Sequence, residues 1–305
     1  MFKEEINIVK LEKSEIYQVG DKRSTAKLVE KFYTDNPFPN YDNLETILDL
    51  QKKIEGNDFT KNLKRFIGLG KKVIEVGCGT SQLSIALANG TNNKLVAFDS
   101  TLESLILGSN FSKKSGVSNC VFVNGDIFSN PFMANYFDVV WCSGMLHHTD
   151  SPKQGFEIIT TWLKSDGYVI IGLYNLYGRF RTVFRQKIFR IFGSGKFARL
   201  IVSTLDPILR QDISEQKRKA WFQDQYQHPV ESLHTLDEVL GWFDENNIEF
   251  ISSIPTCNSE NINYENMFLS QTRGTFVSRL VSQIGMLFSP LGSEGGLFLV
   301  IGKKK

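Results

Sequence analysis

Short apolar segments alternate with amphipathic segments through the middle of the chain. The apolar segments predict strands at 72–76, 94–98, 120–123, 137–142 and 168–173. Helical periodicity predicts connecting helices at 81–89, 102–109 and 152–164. Further along, the pattern predicts a helix at 236–245, a strand at 248–251, a helical stretch near 275–288 and a last strand at 296–301. Strands spaced by helices of this length are typical of a parallel sheet with helices on both faces.

The predicted fold is therefore α/β, with a doubly wound, mostly parallel sheet of seven strands. The last strand is expected to be antiparallel, since the two late strands can pair as a hairpin at the sheet edge. Before this sheet, helices are predicted at 25–35, 43–55 and around 59–67, the first with Leu28, Val29 and Phe32 on one face. Residues 1–20 mix charges with single apolar residues and predict an arm or a short strand.

Residues 32–41 contain two prolines and four aromatic side chains. Because the prolines exclude a helix, this segment is either a loop anchored by its aromatic residues or a lid over a ligand site. A second unusual segment, residues 176–230, interrupts the strand–helix alternation. No acidic residue occurs from Gly178 to Leu205, and basic side chains are interleaved with phenylalanines there. The basic residues are Arg179, Arg181, Arg185, Lys187, Arg190, Lys196 and Arg199. This pattern predicts a basic, amphipathic, helical insertion after the fifth strand.

Composition narrows the class of protein without changing the fold. Of the 305 residues, 41% are hydrophobic and 22% charged, which is typical of a chain with a packed core. The net charge of +2 gives no overall attraction to nucleic acid or membrane, so any such attraction must be local. The four cysteines form no Cys-x-x-Cys pair, and no metal site is expected. Because no signal region and no membrane span are evident, we expect a cytoplasmic location.

The strand at 72–76 ends in the turn Glu75-Val76-Gly77-Cys78-Gly79 and leads into a helix. Such a turn allows close approach of a ligand to the backbone, and the helix N-terminus offers free N–H groups, as in Rossmann-type nucleotide sites. Asp99 ends the next strand, and Gly125-Asp126 follows the third. Gln82 occupies the position of the third glycine of a dinucleotide fingerprint, which counts against NAD or FAD. No Gly-Lys-Ser/Thr of a P-loop ends the turn.

These motifs, in this order and together with Ser143-Gly144-Met145-Leu146-His147-His148, resemble class I S-adenosylmethionine-dependent methyltransferases. The resemblance covers roughly residues 70–175 and includes the Leu-His-His signature after the fourth strand. It implies a Rossmann-like cofactor-binding core at 66–175. Around that core we expect an N-terminal helical cap or lid at 1–65, a helical insertion covering the substrate at 176–232 and a C-terminal part completing the sheet at 233–305.

The resemblance also assigns S-adenosylmethionine to particular residues, with S-adenosylhomocysteine as the product. Gly77 and Gly79 would pass under the methionine half, and Glu75 would orient the turn or hold the amino group. Asp99 would take the ribose hydroxyls, and Asp126 the adenine amino group. The full implied set is Glu75, Gly77, Cys78, Gly79, Gln82, Asp99, Ser100, Asp126, Ile127, Ser143, Gly144 and Met145. For Asp99 and Asp126 the competing interpretation is a helix N-cap.

His147 and His148 are the candidate catalytic bases, although a structural or substrate-lining role is favoured for this pair. Candidate acceptor-site residues come from the lid, the loop after the fifth strand and the end of the insertion. They are Tyr33, Phe38, Tyr41, Tyr174, Asn175, Tyr177, Arg179, Tyr226 and His228. Polar aromatic residues at such positions can orient a small polar acceptor.

The favoured function is methyl transfer to a small-molecule acceptor under a helical lid. The main alternative is an RNA (tRNA) methyltransferase that uses the basic insertion, since arginines with interleaved aromatics suit phosphates and bases. A membrane-surface helix presenting a lipid-like acceptor is a third interpretation of the insertion. An NAD-dependent oxidoreductase and a non-catalytic cofactor-binding module are the alternatives outside this class. The protein is expected to be a monomer or a homodimer.

Overall fold

The computed structural model describes residues 1–34, 41, 46–192, 204–206, 209, 211, 214–258, 263–288 and 296–305. Nine strands in these residues form one sheet. They are β1 (Ile8–Leu11), β2 (Ile16–Val19), β3 (Lys72–Val76), β4 (Lys94–Asp99), β5 (Cys120–Gly125), β6 (Phe137–Ser143), β7 (Leu163–Tyr174), β8 (Ile248–Ile254) and β9 (Leu297–Lys304).

The strand order is β1-β2-β5-β4-β3-β6-β7-β9-β8. Strand β3 lies parallel to both β4 and β6, and the winding direction reverses between β3 and β6. In open α/β sheets this switch point forms a crevice outside the carboxyl ends of the strands, where ligands bind. Strand β9 is antiparallel to β7 and β8, so the expectation of an antiparallel last strand is confirmed.

The prediction of seven strands is wrong, because residues 1–20 add a two-stranded hairpin to the sheet. Strand β1 pairs antiparallel with β2, and β2 pairs parallel with β5. Ile16 and Val19 of β2 are buried. Gly125 of β5 permits this pairing, since a Cβ there would lie 2.8 Å from the carbonyl oxygen of Val19. An arm or one short strand was expected at 1–20, and the apolar runs there are too short to identify two strands.

Ten α-helices surround the sheet in the described residues. Before the central strand come α1 (Ser24–Thr34), α2 (Ile47–Glu55) and α3 (Asp58–Ile67). The others are α4 (Gln82–Ala88), α5 (Leu102–Lys114), α6 (Pro152–Trp162), α7 (Phe180–Phe192), α8 (Glu215–Gln227), α9 (Leu236–Glu245) and α10 (Phe276–Gly285). No described helix is long and apolar enough to cross a membrane.

Two hydrophobic clusters show that helices cover both faces of the sheet, as predicted. Ile74 and Ile171 face the cluster that contains Phe156 of α6 and Phe243 of α9. Their chain neighbours Val73 and Ile170 face the opposite cluster, to which α2, α3, α4 and α5 contribute. Alternating strand residues point to opposite faces, so both sides of each central strand are buried.

The insertion is helical where it is described, and it has a small core of its own. Phe189 of α7 packs with Leu209, and with Trp221 and Tyr226 of α8. The Tyr226 hydroxyl donates to Asp206 at 2.6 Å, and the Trp221 indole donates to the same carboxylate. Phe189 therefore packs internally, whereas Phe180 and Phe184 of the same helix are exposed.

Candidate active site

The glycine turn between β3 and α4 depends on left-handed backbone conformations. Gly77 has φ +75° and Gly79 has φ +50°, and Ser81 follows at φ +64°. A Cβ on Gly77 would lie 2.4 Å from the Cβ of Met145. Glycine is therefore required at position 77 by conformation and by space, because the loop after β6 packs directly against the turn.

The first amides of the turn bind the protein itself. The N–H groups of Gly77 and Cys78 donate to the Phe98 carbonyl at 2.8 and 3.2 Å. The Gly79 N–H donates to Asp99 Oδ2 at 2.8 Å. These bonds hold the turn against the end of β4, because strand β4 lies beside β3 at the same edge.

Glu75 lies buried under the turn and joins β3 to α4. Its Oε2 atom accepts hydrogen bonds from the Ser84 N–H at 2.9 Å and from the Ser84 hydroxyl at 2.5 Å. Burial raises the pKa of Glu75 to about 7, and the nearby Asp99 charge adds to this effect. A carboxyl group that accepts hydrogen bonds from the first turn of a helix stabilises that end of the helix. Glu75, on β3, thereby fixes α4 relative to the sheet.

Asp99 binds backbone on two sides of the crevice. Its Oδ2 accepts from Gly79, as described above, and its Oδ1 accepts from the Thr101 N–H at 2.7 Å. The N-cap of α5 is Thr101, so the N-cap interpretation does not hold for Asp99, whose carboxylate lines the cavity. Asp126, by contrast, does have N-cap geometry, at the short 3-10 turn Ile127–Ser129. Burial raises the pKa of Asp99, and the bonds from Thr101 and Gly79 oppose that shift.

Asp126 joins the end of β5 to the start of α1. Its Oδ1 accepts from the Phe128 N–H at 3.0 Å, and its Oδ2 accepts from the Arg23 N–H at 2.9 Å. The Arg23 guanidinium carbon lies 3.2 Å from the centre of the Phe128 ring. Nothing in the sequence pattern pointed to Arg23, because this contact joins segments about a hundred residues apart.

A cavity of about 440 Å³ lies at the carboxyl ends of β3, β4, β5 and β6. All twelve residues assigned to the cofactor line it: Glu75, Gly77, Cys78, Gly79, Gln82, Asp99, Ser100, Asp126, Ile127, Ser143, Gly144 and Met145. The chemistry of this lining fits an adenosyl amino acid. It offers buried carboxylates for hydroxyl and amino groups, and apolar side chains such as Ile127 and Phe98 for a ring.

Helix α1, which belongs to the segment expected to form an N-terminal cap, forms one wall of this cavity. Thr25, Ala26, Val29 and Tyr33 line the cavity. Of the predicted face, Val29 lines the cavity and Phe32 is partly buried, but Leu28 is 48% exposed and does not face inward. The inward face includes small and polar residues, which carry no hydrophobic signal. Thr25 Oγ1 donates to Asp150, which also lines the cavity, across the mouth. Phe38 and most of the predicted lid loop lie outside the described residues.

The two candidate catalytic histidines have different environments. His148 lines the cavity, and its Nδ1 lies 2.7 Å from the Val230 carbonyl oxygen. Burial lowers the pKa of His148 to about 4, so its imidazole is neutral at pH 7. His147 does not line the cavity and is fully buried, and within the described chain neither of its ring nitrogens has a hydrogen-bond partner. Burial lowers the pKa of His147 well below its usual range.

Tyr33 and Tyr174 are the described candidate acceptor residues that line the cavity. His228 lies behind them, with its ring 3.6 Å from that of His148 and 5.7 Å from that of Tyr33. Tyr41 does not line the cavity, because its hydroxyl donates to the Thr80 carbonyl at 2.7 Å. Three more predicted acceptor residues also lie elsewhere: Asn175, Tyr177 and Tyr226.

These corrections have specific causes. Asn175 turns toward α10, where it donates to Gln283 Oε1 at 2.9 Å. Tyr226 belongs to the core of the insertion, as described above. Arg179 is fully buried and forms an ion pair with Glu231 at 2.7 Å. Its guanidinium carbon lies 3.5 Å from the centre of the Tyr174 ring. Arg179 therefore supports the wall of the cavity from behind and does not line it.

Comparison with known proteins agrees with this site. A family model described as a methyltransferase domain matches residues 67–232, more than half of the chain. A demethylmenaquinone methyltransferase from Bacillus pumilus is 25% identical over 44% of this chain and 57% of its own length. A tRNA U34 carboxymethyltransferase from Campylobacter hominis is 28% identical over 42% of this chain and 44% of its own length. The chain thus spans about half the length of these relatives.

A solved structure supports the fold. PKMT2 from Rickettsia typhi, in complex with AdoHcy, superimposes with a TM-score of 0.54 at 12% sequence identity. The match covers 84% of this chain and 52% of the other. At this identity the likeness establishes the architecture of the sheet and its helices.

Proposed function

The chain belongs to the methyltransferase-domain family of class I S-adenosylmethionine-dependent enzymes, and we propose that it methylates a small-molecule acceptor beneath helix α1. One observation carries this proposal: the glycine turn, α1, His148 and Tyr174 line one and the same cavity. Bound S-adenosylmethionine supplies an activated methyl group on its sulfonium. The protein therefore has mainly to align the acceptor and exclude water.

In the proposed complex each cofactor residue keeps the role that the family resemblance implies. Glu75 holds the turn or the amino group, Asp99 binds the ribose, and Asp126 binds the adenine edge. Ser143, Gly144 and Met145 lie by the methyl group. Support comes from their shared cavity and from the backbone bonds that fix Glu75 and Asp99 before any ligand arrives.

A small acceptor is favoured because polar bonds fasten α1 over the cavity. Arg23 binds Asp126 at its start, and Thr25 binds Asp150 one residue into the helix. A wall fixed in this way suits an acceptor small enough to enter the cavity completely. The similarity to a demethylmenaquinone methyltransferase supports a small organic acceptor.

We place His148, and not His147, next to the acceptor. With the Nδ1–H of His148 donated to the Val230 carbonyl, its Nε2 keeps the lone pair. This neutral ring can line the acceptor site or accept a proton from an acidic hydroxyl, although its low pKa makes it a weak base. His147 packs against Tyr174 at 4.0 Å between ring centres and is assigned a structural role.

The chain organisation that we propose follows from the same contacts. Residues 1–65 act as a cap, 66–175 hold the cofactor, 176–232 cover the acceptor side and 233–305 complete the sheet. The Arg179–Glu231 ion pair joins the two ends of the third segment, which supports treating it as one unit.

Methylation of RNA is the second candidate function. Exposed Arg181 and Lys187 on α7, and the similarity to a tRNA U34 carboxymethyltransferase, favour it. Incubation with S-adenosylmethionine labelled in the methyl group, together with a cell extract, separates the two functions. We expect label in the organic, small-molecule fraction. Label confined to acid-precipitable RNA that ribonuclease removes would contradict the small-molecule proposal.

Calorimetry with S-adenosylhomocysteine and with NAD tests the cofactor site. We expect binding of the former only, and replacement of Asp99 by alanine should weaken it about 10- to 100-fold, as loss of a charged hydrogen-bond pair does. The control is Asp166→Asn, which changes an exposed carboxyl outside the cavity. Equal affinity in Asp99→Ala and wild type would contradict the ribose assignment.

A further inference from the structure

Helix α10 presents an exposed face made of apolar side chains. Phe276, Val277, Val281, Ile284 and Phe288 have exposed fractions from 37% to 77%. Val277, Val281 and Ile284 are spaced by four and three residues, so they lie along one side of the helix, and exposed Phe288 follows in the turn after it. The opposite side packs inward through Ser282, Gln283 and Met286. A contiguous apolar face of this kind marks an interaction site.

Helix α7 carries a second exposed stripe with the same spacing. Phe180, Phe184 and Ile191 are 57% to 77% exposed, and Lys187 lies exposed in the same row. Arg181 is exposed beside Phe180. Thr182 and Phe189 on the other side are buried. The stripe therefore combines large apolar side chains with cations.

The beginning of α7 lies next to the end of α10. A Cβ on Gly178 would lie 3.1 Å from the Cβ of Met286, and the Asn175 amide donates to Gln283 at 2.9 Å. Leu176, which is exposed, lies at this junction. Tyr174, two residues earlier, lines the cavity. We call the exposed residues of α7, α10 and Leu176 together the α7–α10 surface.

The charge of the α7–α10 surface selects among partners. No acidic residue occurs between Gly178 and Leu205, and in the described chain neither Arg181 nor Lys187 forms an ion pair. A second copy of the chain would bring these cations against their equivalents. RNA would leave the apolar face of α10 without a partner. A bilayer with anionic phospholipids matches both parts of the surface, since its acyl chains can contact the apolar side chains and its phosphates can pair with the cations.

We propose that the α7–α10 surface docks the protein on the surface of a bilayer rich in anionic phospholipid. Docking there places the Tyr174 wall of the cavity next to the membrane. It would give the enzyme access to an apolar acceptor dissolved in the bilayer. The docking itself goes beyond the proposed methyl transfer and does not depend on it.

Sedimentation of the full chain with vesicles tests the proposal. Vesicles of phosphatidylcholine with about one third phosphatidylglycerol are compared with vesicles of phosphatidylcholine alone, at low and at high salt. We expect wild-type protein to partition onto the anionic vesicles, and less so at high salt because salt screens the lipid charge. S-adenosylhomocysteine binding by each variant verifies that it is folded and separates a failure of docking from a failure of the cofactor site.

Two double variants test the cationic part and the apolar part of the surface separately. Arg181→Gln with Lys187→Gln should lower the partition coefficient about fivefold per cation removed. Val277→Gln with Val281→Gln should lower it about tenfold, through lost apolar contact. The matched control is Leu48→Gln with Lys52→Gln on α2, which changes an exposed leucine and an exposed lysine on another helix and should leave partition unchanged.

Three results would overturn the proposal. The proposal is contradicted if wild-type protein stays in the supernatant with anionic vesicles. It is also contradicted if the protein partitions equally onto both vesicle types. Unchanged partition in both double variants shows that another surface binds. If the wild type does not bind vesicles and sediments as a dimer that Val277→Gln with Val281→Gln converts to a monomer, the surface belongs to a second copy of the chain.

Discussion

Three carboxylates at neighbouring strand ends organise the crevice residue by residue. Glu75, Asp99 and Asp126 each accept a backbone N–H from a segment other than their own strand. Each carboxylate therefore has a fixed orientation before a ligand binds. Such preorganisation reduces the ordering cost of binding, because the groups need not be immobilised at that moment.

The pH dependence of stability should show the buried charge of Glu75. Its pKa is about 7 in the folded protein, against 4.5 as its ordinary value. Below pH 4.5 the carboxyl is protonated in both states, so the folded state is not penalised. From pH 4.5 to about 7 the folded state progressively loses about 3 kcal/mol of stability, because over this range the carboxyl ionises in the unfolded chain and stays protonated in the folded one. Glu75→Gln should not show this loss, and urea unfolding at pH 5 and 8 measures it. An identical pH dependence in both proteins would contradict the assignment.

Gly77 should tolerate no side chain. Gly77→Ala combines a left-handed φ with a contact of 2.4 Å to Met145, and we expect about 2–4 kcal/mol of destabilisation from strain and overpacking. Gly90 is the matched control, since it has φ +71° but no atom within 4 Å of its Cβ position. Gly90→Ala should cost only the conformational part, about 1 kcal/mol. Equal unfolding free energies for the two variants would show that the Met145 contact does not matter.

At the scale of elements, α1 and the turn before α4 form opposite sides of one cavity. Helix α4 is fixed through Ser84 to Glu75, whereas α1 is held over the cavity by Arg23 and Thr25. The side chains of α1 are at most partly buried, so its packing alone does not hold it tightly. These polar bonds therefore decide how firmly α1 closes the cavity.

Loss of the Thr25–Asp150 bond should loosen this closure. Thr25→Val keeps the shape of the side chain and removes the donor, so we expect S-adenosylhomocysteine to dissociate about fivefold faster, as the loss of one hydrogen bond of about 1 kcal/mol implies. Stopped-flow fluorescence measures the rate. Leu28→Gln, an exposed change on the same helix, should leave the rate unaltered. Equal rates in wild type and Thr25→Val would mean that α1 does not control release.

Across the whole molecule, the sheet brings distant parts of the chain to a single edge. Strand β3 supplies the glycine turn and β6 the Ser143–Met145 loop, and the two strands are neighbours. The insertion also contributes to this edge. Its Arg179–Glu231 ion pair packs behind Tyr174, which lines the cavity. The sequence placed Arg179 in the basic insertion and among the candidate acceptor residues, but the fold buries it and pairs it with an acid 52 residues further along.

The sequence by itself determined the parts that local physics controls. Apolar periodicity located the central strands and most helices, because the side chains buried on each face repeat every two or about 3.6 residues. The glycine turn and the acids at 75, 99 and 126 were also evident, since such residue types have few roles at the ends of parallel strands. All twelve residues that the family resemblance assigned to the cofactor line one cavity.

Only the tertiary structure decided the remainder. The β1–β2 hairpin is too short to have a pattern of its own, and its pairing depends on the missing Cβ of Gly125. The wall formed by α1 and the burial of Arg179 arise from contacts between segments far apart in the chain. The same type of residue can face a cavity at one position and solvent at another. Which side chains face the ligand is therefore decided by packing and not by the local sequence.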